Sequence, residues 1–277
     1  MDQRPIGVFD SGVGGLTSVK ELHRLLPGED IVYFGDTGRV PYGTRSAESI
    51  RRYAAQDITF LAEQGVKAIL AACGTVSSNF TRADYDSLGL DIPFVAIVEP
   101  ASEAAAVATR NGKIGVLATP ASIRSGVYER SIPRYRQGVE VFVNAGSLLV
   151  PLTENGMTAP GHPITTPALE LYLTPLLDKG IDTLLLGCTH YPLLIDSIRA
   201  LVGEEITLVD AGAAGAAHLR GILEEKGLLS ENKTGETRYF VSDTVENFLP
   251  VAANFLGGDV GGKCEYVNID LVDYKKE

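Results

Sequence analysis

Ile6-Gly-Val-Phe-Asp-Ser-Gly12 is a short apolar run ending on a carboxylate, a hydroxyl and a glycine, and 108 residues later the chain echoes it as Ile114-Gly-Val-Leu-Ala-Thr-Pro120. A run of this length bounded by turn residues reads as a buried strand. Comparable runs recur at Ile31 to Phe34, Lys67 to Ala72, Phe94 to Val98, Val139 to Val143, Thr183 to Leu186 and Ile206 to Val209. Helical periodicity fills the gaps. After the first run, Leu16, Val19, Leu22 and Leu26 share one helix face that Pro27-Gly28 terminates, and Gly65 closes a second helix before the third strand. Strands alternating with helices along a chain predict an α/β fold built on parallel sheet.

A second echo carries more chemistry. Ala68-Ile-Leu-Ala-Ala-Cys73-Gly-Thr75 matches Asp182-Thr-Leu-Leu-Leu-Gly-Cys188-Thr189, each an apolar strand delivering a cysteine and a threonine into the following turn. Any two α/β strands look alike at this level, which explains the Ile-Gly-Val echo equally well, but the cysteine echo resists that account. Duplicated halves would divide near Pro93 to Pro100 and again near Glu205 to Asp210. The expected domains are then 1–96 plus 208–277, and 97–207. Ligands in open parallel sheets bind beyond the carboxyl ends of the strands. Asp10, Cys73 and Cys188 all fall there, so one interdomain cleft would hold all three.

Composition narrows the function. Of 277 residues 45% are hydrophobic and 21% charged, and 24 Lys plus Arg against 35 Asp plus Glu leave a net charge of −11. Such a surface repels nucleic-acid backbones and anionic lipid, so neither is an expected partner. It does not exclude an acidic metabolite, because backbone N–H groups set the local potential of a pocket. The start, Met-Asp-Gln-Arg-Pro, has no basic segment or long apolar stretch behind it, and no eighteen consecutive apolar residues occur, which makes the cytoplasm the expected compartment. Cys73, Cys188 and Cys264 are too few for a disulfide framework, and no Cys-x-x-Cys or His-rich spacing predicts a metal.

Asp10-Ser-Gly-Val-Gly-Gly15 follows a strand and precedes a helix, so its amides can cradle an anion. It is not a dinucleotide fingerprint, since Thr17 stands where the third glycine belongs. A tight turn accounts for the glycines but not for Asp10 and Ser11 at its tip. Cys73 and Cys188 sit at strand ends close to helix starts, where a thiol pKa of about 8.5 is expected to fall. A lone free cysteine is more often an inert small hydrophobe, the reading kept for Cys264; a pair at matching strand ends points to chemistry.

Gly187-Cys-Thr-His-Tyr-Pro192 packs a thiol, a hydroxyl, an imidazole and a phenol into one turn, with Pro192 placed to begin a helix. A Cys-His hydrolase is one reading, and a His190 that shuttles protons is another. The loop Gly35 to Arg45 is rich in donors. Tyr42 and Gly43 could hold a carboxylate through hydroxyl and backbone N–H, although on the residues alone a solvated loop ending where Ser46 caps a helix is the stronger account. No lysine near these strand ends suits pyridoxal phosphate, and Gly-x-Ser-x-Gly is missing. Proton-transfer or thiolate chemistry without a cofactor remains.

Taken together, these segments closely resemble bacterial glutamate racemase. The likeness runs from Gly7-Val-Phe-Asp-Ser-Gly to near Phe255-Leu-Gly, through Gly35-Asp-Thr, Val40-Pro-Tyr-Gly43, Ala72-Cys73, Thr75, Val98-Glu-Pro100, Val150-Pro-Leu with Glu154, and Leu186-Gly-Cys-Thr-His-Tyr-Pro-Leu-Leu194. It implies two pseudo-symmetric flavodoxin-like domains of the aspartate/glutamate racemase superfamily with the active site between them. It further implies glutamate as substrate, no cofactor, and supply of D-glutamate for peptidoglycan, and it allows for a homodimer. By this resemblance Cys73 and Cys188 are the acid/base thiols, Asp10 assists the first, and His190 with Glu154 assists the second. Ser11, Tyr42, Gly43, Gly74, Thr75 and Thr189 would bind substrate.

One position departs. The family reads Cys-Asn-Thr where this chain has Cys73-Gly74-Thr75, removing an amide expected to hold the substrate. A lost hydrogen bond to a charged group costs about 1.5–3 kcal/mol, roughly ten- to a hundredfold in rate. The expectation is a slow enzyme that Gly74→Asn would speed, unless Gly74 N–H or water substitutes. A racemase or decarboxylase for another acid, or a ligand-binding relative, are the competing readings.

Overall fold

The computed structural model describes residues 2–274. The chain opens with β1 (Ile6–Asp10), α1 (Leu16–Leu25), β2 (Ile31–Gly35), α2 (Ala47–Glu63), β3 (Ala68–Ala71), α3 (Gly74–Ser77), α4 (Arg82–Asp86) and β4 (Phe94–Ala96). It crosses through α5 (Val98–Ala108) to β5 (Lys113–Ala118), α6 (Pro120–Ser125), α7 (Val127–Tyr135), β6 (Glu140–Ala145), α8 (Leu149–Glu154) and α9 (Thr165–Leu177). Then come β7 (Thr183–Leu186), α10 (Ile195–Val202), β8 (Thr207–Asp210) and α11 (Ala211–Glu225). The chain closes with β9 (Thr237–Val241), α12 (Val245–Leu256) and β10 (Cys264–Tyr266).

Every strand pair is parallel. One sheet runs β10-β9-β2-β1-β3-β4 and the other β6-β5-β7-β8. Within the first, β2-β1-β3-β4 has the same order as the whole second sheet, with β1 corresponding to β5 and β3 to β7. These are the strands that carry the two sequence echoes. The order reverses beside β1 and beside β5, and such a switch point opens a crevice at the strands' carboxyl ends.

Register fixes what reaches that crevice. The last β1–β3 pair is Phe9 with Ala71, so Ser11 and Cys73 each lie two residues beyond it. The last β5–β7 pair is Leu117 with Leu186, so Thr119 and Cys188 stand in the same relation. Each half thus presents a hydroxyl beside a thiol.

The helices form as their periodicity dictates. Leu16, Val19, Leu22 and Leu26 are buried together, and a fully buried leucine contributes about 1.5–3 kcal/mol. Ser46 Oγ accepts from Ser49 N at 3.2 Å, capping α2. Gly65 follows that helix at φ 72°, a conformation natural to glycine. One hydrophobic core takes in Val8 and Leu70 of the first sheet, Val116, Leu185 and Val209 of the second, and Leu219 and Leu223 of α11. Helix α11 packs on both α1 and α5, bridging the halves.

Some limits differ from the sequence reading. The run to Val98 stops as a strand at Ala96, because Val98 already opens α5. Lys67 is not in β3; its buried Nζ pairs with Glu29 Oε2 at 2.5 Å. Strands β9 and β10 extend the first sheet beyond expectation, and Cys264 begins the outermost one. Thr207–Asp210 belongs to the second sheet, and the chain returns to the first through α11. Among the described residues, no helix is long and apolar enough to cross a membrane.

Candidate active site

A cavity of about 480 Å³ lies between the carboxyl ends of the two sheets. It gathers Asp10, Ser11, Tyr42, Gly43, Cys73, Gly74, Thr75, Glu154, Cys188, Thr189 and His190, all the residues singled out in the sequence. A larger groove of about 740 Å³ beside α2 and α4 contains none of them. Among the described residues, no lysine or arginine lines the cavity. An anion there must be met by hydroxyls, backbone N–H groups and the imidazole.

The Cys188 side is organised around His190. Its Nδ1 lies 3.8 Å from Cys188 Sγ, and Nε2 donates to Glu154 Oε1 at 2.8 Å. Burial disfavours the imidazolium, but the hydrogen bonds to Cys188 and Glu154, with the charges of Cys188 and Asp10, outweigh it and raise the His190 pKa to about 10. A charged imidazole therefore sits beside the Cys188 sulfur at neutral pH. The Phe255 ring packs edge-on against it, 5.2 Å between centroids.

The Cys73 side is different. Its thiol donates to Ser11 Oγ at 3.4 Å, and burial with the nearby Asp10 carboxylate pushes its pKa up to about 12. The expected fall at a helix start does not occur for Cys73, because desolvation and a like charge dominate. Asp10 is itself buried, and desolvation raises its pKa against the pull of His190 and the Gly12 N–H, which it accepts at 2.9 Å. Thr189 Oγ1 also donates to Asp10 Oδ1 at 3.4 Å, tying the Cys188 turn to the first half. Thr17 Oγ1 donates to the Thr189 carbonyl at 3.0 Å, a second tie.

Two expectations need correction. The Tyr42 hydroxyl does not face a ligand: it donates to Asp36 Oδ2 and, at 3.2 Å, to Asp57 Oδ2 within the protein. Arg39 holds the same pair, its Nε on Asp36 Oδ2 at 2.6 Å and its Nη2 on Asp57 Oδ1 at 2.9 Å. Tyr42 thus anchors the loop, and the backbone of Tyr42 and Gly43 is what the loop offers an anion. Nor does residue 74 have room for asparagine. A β-carbon there would come within 3.0 Å of the Gly187 carbonyl oxygen, which is main chain and cannot swing aside.

The sequence reading passed over Thr119, which lines the cavity and shares a hydrogen bond of 2.9 Å with Thr75 Oγ1 across the cleft. Its signal was the Ile114-Gly-Val-Leu-Ala-Thr echo, which puts Thr119 where the first half has Ser11. It also passed over Tyr128, whose hydroxyl donates to the Gly187 carbonyl at 3.4 Å from behind the Cys188 turn.

The chain as a whole is similar to known proteins. A family model described as Asp/Glu/Hydantoin racemase matches residues 6–219. A curated glutamate racemase of Geobacter metallireducens is 43% identical over 262 residues, covering 94% of this chain and 96% of the relative. One from Thermoanaerobacter pseudethanolicus is 43% identical over 274 residues, covering 99% and 100%. The crystal structure of glutamate racemase from Francisella tularensis subsp. tularensis SCHU S4 in complex with D-glutamate superposes with a TM-score of 0.89 at 38% identity, covering 98% of this chain and 99% of that one. On the extent of these matches, the chain belongs to the Asp/Glu/Hydantoin racemase family.

Proposed function

We propose that this protein is an isomerase that interconverts L- and D-glutamate, and that its D-glutamate supplies peptidoglycan. The observation that carries the reading is the delivery of Cys73 and Cys188 from equivalent strand ends, β3 and β7, into one cavity. Curated relatives named glutamate racemase, aligned over nearly the whole chain, support the choice of substrate.

Racemisation takes a proton from one face of the α-carbon and returns one to the other, so two groups must flank that carbon. The free enzyme is asymmetric. Cys73 starts as the thiol, and Cys188, beside the His190 imidazolium, starts as the base. Cys188 sulfur takes the α-proton; the C–H bond breaks, an S–H bond forms, and the electron pair spreads into the substrate carboxylate. The Cys73 S–H bond then breaks as its proton joins the opposite face. Cys73 is left as thiolate and Cys188 as thiol, the state that acts on the other enantiomer. Hydroxyls of Ser11, Thr75, Thr119 and Thr189 and the backbone at Tyr42 and Gly43 hold the substrate's charged ends.

Incubation of L-glutamate with purified protein in deuterated water tests this reading. The expected result is D-glutamate carrying α-deuterium, with turnover reduced about 10²–10⁴-fold by Cys73→Ser or Cys188→Ser. Retention of the α-proton by both enantiomers, with the thiols reduced, overturns it; turnover of aspartate but not glutamate redirects it to another acid.

A further inference from the structure

The turn that carries Cys188 is seated in the first half at two places without side chains. On one side of the cysteine the Gly187 carbonyl rests on Gly74, where an added β-carbon would lie within 3.0 Å of that oxygen and 3.9 Å from Cys188 Cα. On the other side Thr189 and His190 rest on Gly14, where an added β-carbon would lie 2.5 Å from His190 Nδ1 and closer still to Thr189 Oγ1. Neither Gly14 nor Gly74 has a positive φ, so backbone conformation does not call for glycine at either. The demand comes from what approaches them.

The Gly187 carbonyl cannot retreat freely. Gly187 N donates to Leu117 O at 2.8 Å, continuing the β5–β7 ladder, and the Tyr128 hydroxyl reaches the carbonyl from behind. The Gly187 Cα is hemmed in as well, since a β-carbon there would lie 2.6 Å from that same hydroxyl. Any side chain at 74 must therefore push two packed main-chain turns apart, and the cysteines with them. Close interiors resist such insertion because neighbours have no free volume to yield.

We propose that Gly74, together with Gly14, is a positioning residue that sets how near the Cys188 turn stands to the Cys73 turn. That close seating uses the space a side chain at residue 74 would fill. The proposal rests on the racemase reading for its kinetic consequence, but its geometric content stands apart from the substrate. It reverses the simple expectation of a missing contact: introducing asparagine harms the site.

The test uses Gly74→Ala, Gly74→Asn and Gly14→Ala in a Cys264→Ser background, with thermal unfolding as the check on folding. Two quantities are read. One is kcat and KM for glutamate by α-proton exchange; the other is bridging of Cys73 to Cys188 by a short bifunctional thiol reagent that fluoresces only when both ends react. Gly74→Ala is expected to lower kcat about a hundredfold, the penalty of a misplacement near 1 Å, with a smaller change in KM. Gly74→Asn does no better than alanine, and bridging falls in all three variants. A Gly74→Asn enzyme that matches or exceeds the parent in kcat/KM overturns the proposal, as does unchanged bridging in Gly74→Ala or a parent that does not bridge. Should the parent fail to exchange the glutamate α-proton, the racemase reading falls while the bridging result still decides the positioning role. If Gly74→Asn does not fold, the two alanine variants carry the decision.

Discussion

His190 Nε2 and Glu154 Oε1 stand 2.8 Å apart, joining the turn after β7 to the end of α8. This bond is one of those that lift the His190 pKa to about 10. Glu154→Gln keeps the shape but removes the charge, so the imidazolium loses its proton at a lower pH. The alkaline limb of the pH profile of kcat/KM should move downward, and an unmoved limb would separate Glu154 from His190's protonation.

The same pKa has a stability consequence of definite sign. Because the folded value is above the ordinary 6.5, the protonated His190 contributes fully below about 6.5, and that contribution is lost as pH rises through about 10. Comparing His190→Asn with wild type in urea, the gap between midpoints should be widest near pH 6 and narrowest near pH 10. A gap that does not change with pH would mean that the imidazole is neutral in the folded state.

The two reactive sulfurs should differ chemically before substrate arrives. With its pKa near 12, Cys73 is a thiol at neutral pH, while Cys188 has an imidazolium 3.8 Å away. Thiolates are the species that alkylate. Limited iodoacetamide treatment followed by peptide mass analysis should label Cys188 roughly tenfold or more faster than Cys73, which burial and the Asp10 charge hold as the thiol. Equal labelling would remove the asymmetry from which the proposed first step begins.

Beneath the substrate loop, Tyr42 and Arg39 hold Asp36 and Asp57 side by side in a buried site. Burial first, and then the Asp36 charge, raise the Asp57 pKa well above its ordinary 3.8. Tyr42→Phe removes a donor from both carboxyls and should cost about 1–3 kcal/mol in denaturant unfolding. Asp57→Asn copies the protonated carboxyl. Since the folded state favours the proton, wild-type stability declines as pH rises above about 3.8, and the Asn variant should gain on it across that range. Parallel pH curves for the two would mean Asp57 is charged in place.

What the sequence revealed and what it hid follow from the range of each signal. Apolar runs and turn residues are local, so β1, β3 and β7, the strands that deliver Asp10, Cys73 and Cys188, were readable from neighbours in the chain. Strand β9 was not, because Thr237-Arg-Tyr-Phe-Val lies beyond a polar stretch and pairs with β2, some two hundred residues earlier. Asp57 sits within a helix where a charged residue reads as solvent-facing; its burial depends on Arg39 and Tyr42 arriving from a separate loop. The reason for Gly74 lies in Gly187, a residue with no link to it except the closure of the fold. Contacts of that kind leave no periodicity to read.

The hydrophobic core that runs from Val8 through α11 to Leu185 also settles how the molecule comes apart. A chain that looks like one half copied into another invites the idea of two modules melting in turn. With a helix wedged against α1 on one side and α5 on the other, each half would expose part of the shared core if the other were lost. The shared core therefore couples the two halves, and the doubled architecture is symmetry without full independence.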